Sequence, residues 1–142
     1  MAYVSQDMKA KLAPTIKAIC KKYGIKASIA VRNHMTLVLN VRQGEIDFIE
    51  NFIETDSNVM HGRKMSEDQI AYIRKSKCLD VNTYWYQDHY SGQAREFIGE
   101  IITAMKGPDF FDHSDAQTDY FHCSHYIDIN IGSWNKPYAF VK

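Results

Sequence analysis

The sequence predicts an α+β domain: a mainly antiparallel sheet of about five strands, from two hairpins plus one strand, with helices packed on one face. Three observations point there. Apolar residues recur at helical spacing in several segments and alternate with polar ones in others. Turn residues punctuate the alternating stretches in pairs, as hairpins require. The 142 residues amount to a single domain spanning the whole chain, long enough to bury a core without a disulfide or metal staple.

The elements follow in order. Met8, Leu12, Ile16, Ile19 and Tyr23 make one helical face over Ser5–Tyr23, and Gly24 stops the helix. Pro14 lacks a backbone donor and is expected to kink or split that helix. Ser28–Arg32 and Met35–Val41 read as a hairpin turning on Asn33-His34. Glu45–Glu54 reads as a short acidic helix with Phe48, Ile49, Phe52 and Ile53 inward, and Thr55–Lys64 as a loop. Ser66-Glu67-Asp68 opens a helix that ends near Lys77.

Cys78–Trp85 alternates as a strand, and Ser91-Gly92 opens a helix that runs to about Lys106 before Gly107-Pro108. Asp109–Asp119 is a polar loop. Tyr120–Ile131 and Pro137–Val141 read as a final hairpin, with Ile127, Ile129 and Ile131 on one side and Tyr126, Asp128 and Asn130 on the other.

Composition excludes several classes. Seventeen basic residues balance seventeen acidic ones, against both a globally basic nucleic-acid binder and an acidic DNA mimic. The first residues lack the apolar core of a secretory signal, and no stretch approaches the ~20 apolar residues of a membrane span. The three cysteines are odd in number and widely spaced, which fits a reducing cytoplasm. No dinucleotide fingerprint, phosphate loop or HExxH occurs, so no cofactor and no catalytic residue is nominated.

The zero total hides a pattern. Residues 1–44 carry eight bases and one acid, and residues 45–62 carry five acids and no base. Lys9, Lys17, Lys21 and Lys22, with Arg32, could meet phosphates, giving a nucleic-acid-binding alternative. The same lysines are also what any amphipathic surface helix presents. Asp112, His113, Asp119, His122 and His125 are metal-ligand types crowded near the C-terminal strand. They define a second alternative, a small metal-assisted hydrolase or nuclease. Against it, no second ligand knuckle accompanies them, and an acidic loop running into a strand explains them as well.

Fourteen of the eighteen aromatic residues lie in residues 72–142. Consecutive ones such as Tyr84-Trp85-Tyr86 cannot all face one core, so some must reach the surface, where Tyr and Trp anchor protein interfaces. Arg32 and His34 at the first hairpin tip, with Tyr120, Tyr126 and Trp134, form the expected binding surface.

Ala30-Val31-Arg32-Asn33-His34, Asp119-Tyr120-Phe121 and Gly132-Ser133-Trp134-Asn135-Lys136-Pro137-Tyr138 carry a resemblance across nearly the whole chain. With them the chain resembles the large polyvalent protein-associated domain of the twenty-ninth type, found in small proteins of tailed phages. The resemblance implies an accessory protein of a phage or mobile element, acting in the cytoplasm of the infected bacterial host. Its expected partner is a host defence protein, for instance a CRISPR effector, which it binds and blocks. It implies no catalytic residues. A homodimer is compatible with an interface-rich small domain, and no heptad specifies one.

Overall fold

The computed structural model describes residues 3–59, 66–108, 110, 125–133 and 135–141. Among these the chain is α+β, with five helices on one side of a five-stranded, mainly antiparallel sheet.

The first helix, α1 (Gln6–Lys22), starts on Ser5, whose hydroxyl accepts the Met8 amide, and ends at Tyr23. It is one helix, not two. Pro14 lies on its exposed side, and so does Ala10, whose carbonyl loses its helical donor to the ring and faces water. Leu12 before the proline and Ile16, Ile19 and Cys20 after it pack on the same core, which holds the two halves in line.

Strands β1 (Ile25–Arg32) and β2 (Thr36–Gly44) form the expected hairpin, and Asn33 and His34 both adopt the left-handed conformation, with φ of 55° and 58°. The Met35 amide closes the turn on the Arg32 carbonyl at 3.2 Å.

The acidic helix begins later and runs longer than expected, as α2 (Phe48–Val59). Asp47 caps it by accepting the Glu50 amide at 3.2 Å. Thr55, expected in a loop, is buried in the helix and bonded to the Ser91 hydroxyl at 2.9 Å. Helix α3 (Glu67–Ser76) opens on a Ser66–Gln69 capping box. Arg74 forks onto both carboxylate oxygens of Glu50, at 2.8 and 3.0 Å, and joins α3 to α2.

The strand expected over Cys78–Trp85 shrinks to β3 (Leu79–Val81). The Asn82 side chain accepts the amides of Tyr84 and Trp85, both at 3.0 Å, and turns the chain out of the sheet. A single turn, α4 (Tyr86–His89), leads to α5 (Gly92–Lys106).

The final strands are β4 (Tyr126–Ile131) and β5 (Ala139–Phe140). They do not form the expected hairpin with each other. Both run parallel to β2, β4 along Thr36–Val41 and β5 at Gln43-Gly44. A tight reversal, bonded Ser133 to Lys136 in both directions, takes up the intervening residues without reversing the strand direction. So β5 continues the line of β4 beside β2. The sheet order is β1-β2-β4-β3, with β3 antiparallel to β4.

The core lies between the sheet and the helices. Leu37, Leu39, Val41, Ile129 and Ile131 are wholly buried against Ile16, Phe48, Phe97, Ile98, Ile101 and Met105. An aromatic line crosses it, from Tyr23 to Phe97 to Phe48 to Tyr138, with ring centres 5.5, 5.6 and 5.5 Å apart. The Tyr138 hydroxyl donates to the Ile46 carbonyl at 2.6 Å, and its burial, with the nearby Asp47 charge, pushes its pKa far up.

Candidate functional site

The strand alternation that sends Ile127, Ile129 and Ile131 into the core sends Tyr126, Asp128 and Asn130 to the sheet face away from the helices. Register brings them beside their equivalents. Thr36 stands between Arg32 and Tyr126, Val38 between Ala30 and Asp128, and Asn40 between Ser28 and Asn130. Asp80 lies opposite Asn130 on the outer strand.

This face is polar and internally bonded. The Arg32 guanidinium meets the Asp128 carboxylate at 3.0 Å. The Asn130 amide donates to Asn40 at 3.3 Å, and Arg42 to the Ser28 hydroxyl at 3.4 Å. Asp80 and Asp128 face each other across adjacent strands. Partial burial, the Asp128 charge and a hydrogen bond to Asp128 raise the Asp80 pKa, with Arg32 opposing. The arrangement can hold a proton between two carboxylates beside a fixed cation.

One end of this sheet is aromatic and open. The Val4 amide donates to the His34 carbonyl at 2.8 Å, and the Tyr126 amide to the Met35 carbonyl at 2.9 Å. Tyr3, Met35 and Tyr126 are thereby gathered there, exposed by 57, 39 and 40 %. Because β3 runs antiparallel to β4, it ends toward the same end, where exposed Tyr84 and Trp85 follow it.

Of the expected binding residues, the fold thus brings together Arg32, His34 and Tyr126. Tyr120 and Trp134 lie outside the described residues. Sequence reasoning passed over Asp80, Asp128, Tyr3 and Met35 as site residues. Alternation alone could have turned both aspartates outward, but their meeting depends on β3 lying beside β4.

The nucleic-acid set is not brought together. Lys22 bonds to Glu100 on α5 at 3.1 Å and lies 5.2 Å above the Tyr23 ring. Lys9, Lys17 and Lys21 fall on the other flank of α1 at 100° per residue. Arg32 lies across the sheet on its far face, held by Asp128.

Of the metal set, Asp112, His113, Asp119 and His122 lie outside the described residues. His125 is buried, its Nε2 2.8 Å from the Met105 carbonyl, with the Phe110 ring edge-on at 5.4 Å. Among the described residues no group of three or more His, Cys, Asp or Glu side chains is placed to hold a metal ion. Nor is any helix among them long and apolar enough to cross a membrane.

Among the described residues, two clefts flank the contact of α1 with α5. A polar one of about 740 Å³ lies between α1, α4 and α5, and there Tyr23 donates a very short hydrogen bond to Glu100. That bond, chiefly, pushes the Tyr23 pKa up to about 12 and holds Glu100 below the usual carboxylate range. Lys22, Tyr23 and Glu100 so satisfy one another. The second, about 860 Å³ and more apolar, runs between Leu12, Thr15 and Ile19 of α1 and Gly99, Thr103 and Ala104 of α5.

With the fold and this face defined, the chain is an α+β module whose helices cover one sheet face and leave the other polar, with an aromatic end. No family model matches it, and no curated protein or solved structure does either.

Proposed function

We propose that this chain is an accessory protein of a phage or mobile element that binds a host defence protein and blocks it in the bacterial cytoplasm. The observation that carries the reading is the gathering of Arg32, His34 and Tyr126 with exposed Met35 and Tyr3 at one end of the sheet. Aromatic and arginine side chains at a polar-rimmed surface are the types that dominate protein interfaces. The resemblance carried by residues 30–34 and 132–138 supplies the biological setting. The hairpin holding the first of those segments presents the exposed tip.

The test is plating. The chain is expressed in bacteria whose defence system restricts a phage, a CRISPR system first, and plaques are counted. Wild type should restore plating, and the purified chain should bind the defence protein. Arg32→Ala and Tyr126→Ala should each weaken that binding by about thirtyfold, the scale of an interface hot spot, with unchanged circular dichroism. Unrestored plating, or full affinity in both folded variants, would overturn the proposal.

A further inference from the structure

The outer edge of β1 offers a second surface, and an occupant for it can be argued from geometry and charge. The inference stands whether or not the aromatic end of the sheet meets a defence protein.

In the sheet order β1 is terminal, and among the described residues no strand pairs with its outer side. Alternate residues of such a strand turn their N–H and C=O groups outward, a template for one more strand. The edge is long: eight residues, against three in β3 at the opposite edge. Its one interruption is the register shift between Lys26 and Ala27. From Ala27 to Arg32 the ladder is regular and free of proline.

Helix α1 packs across β1 but covers it less fully than β2. Val41, Leu39 and Leu37 on β2 are wholly buried, but their β1 partners Ala27, Ile29 and Val31 are only half-buried on the same face. An added strand would satisfy outward backbone groups and extend that apolar stripe in one step. On the other face Ser28 and Ala30 are small and leave room.

The charge around the edge is mostly basic, with Glu45 the exposed acid beside Gly24 where β1 begins. Lys26 lies on the strand, and Arg42 reaches across to Ser28 from β2. Lys17 and Lys21 are exposed on the flank of α1 turned away from α5. No acidic residue lies in β1, and the only one in α1 is Asp7, in its first turn. A second copy would set lysines against lysines. We propose that the edge of β1 accepts an extended acidic segment of a partner protein as a further strand, its apolar residues beside Ile29 and its carboxylates toward Lys26 and Arg42.

The probe is an end-blocked peptide of eight residues alternating glutamate and valine. The full chain is followed by amide hydrogen exchange with and without it. The outward amides of Ala27–Arg32 should slow at least tenfold. A lysine–valine peptide should give no slowing. The double variant Lys26→Glu, Arg42→Glu should lose the effect while unfolding at the wild-type temperature. Slowing by both peptides alike, none in β1, or full slowing in the charge variant would overturn the proposal. So would an oligothymidylate that competes the peptide away by binding Lys17 and Lys21. Tyr126→Ala separates this surface from the aromatic end, since Tyr126 lies on β4, with β2 between it and the edge.

Discussion

Replacing Gly132 with alanine should cost more than a methyl added at any other described glycine outside the helices. Gly132 ends β4 with φ of +72° and hands the chain to the reversal before β5. Its amide donates to Val41 at 2.8 Å, which ties the bend to the central strand. A Cβ there would lie 2.6 Å from the Tyr138 amide nitrogen and nearer still to the Lys77 carbonyl oxygen. Those two atoms are themselves hydrogen-bonded at 2.9 Å, so the methyl would wedge apart backbone with no side chain free to yield. The left-handed backbone costs an alanine about 1–2 kcal/mol, and overpacking adds about 1–3 kcal/mol. The sum, about 2–5 kcal/mol, lowers the melting temperature of a domain this size by roughly 6–20 °C. Gly92→Ala is the internal control: its φ is +58°, but nothing lies within 4 Å of the new methyl. Urea unfolding of both variants separates the backbone term from the contact term. If Gly132→Ala loses no more than Gly92→Ala, the account of how β4 continues into β5 is wrong.

Two further substitutions read the core and the polar face. Tyr138→Phe removes the donor to the Ile46 carbonyl while keeping the ring against Phe48, and should cost about 1–2 kcal/mol in urea unfolding; a loss below about 0.5 kcal/mol would mean that carbonyl finds another donor. Asp80 has a raised pKa in the folded chain, so its contribution to stability is full below the unfolded carboxylate range and is lost as pH rises through the folded value. Asp80→Asn should therefore gain up to about 1 kcal/mol at neutral pH, the scale of a screened charge pair, and the gain should vanish below pH ~4; equal gains at both pH values would show that ionisation of Asp80, disfavoured by burial and then by the Asp128 charge, is not the cause.

Much of the fold was legible because it is written in local periodicity. The apolar face of α1, the Asn33-His34 turn, the Ser66 start and the α5 face each rest on residues within a turn or two of one another. The misreadings share another cause. Asn82 ends β3 through its own side chain, and composition alone does not distinguish that from one more polar residue in an alternating strand. The missing donor of Pro14 predicts a kink or split, whereas the packing of Ile16 and Cys20 on the far side of it keeps α1 whole. The last hairpin failed for a non-local reason. Gly132–Lys136 has the chemistry of a hairpin turn and makes one, yet Pro137–Phe140 is captured by the vacant end of β2 at Gln43-Gly44 and not by β4.

The candidate site follows the same division. Which residues leave the core is a matter of alternation, so Tyr126 and Asp128 could be turned outward from sequence. Which outward residues become neighbours depends on strand order, and here a parallel join between β2 and β4 sets it. That join leaves a single strand between Tyr126 and Arg32, across ninety-four positions of sequence, and pairs Asp128 with Arg32, while β3 beside β4 brings in Asp80. A conventional terminal hairpin would have set β5 where β4 meets one of its neighbours, separating either Asp128 from Arg32 or Asp128 from Asp80. The Gly132 bend, by sending β5 on along β2, keeps both sides of β4 paired as they are. The polar face and its aromatic end therefore depend on a glycine at their far end, and a variant that disturbs that bend should weaken the binding proposed for Tyr126 without touching it, as titration of the defence protein with Gly132→Ala would read.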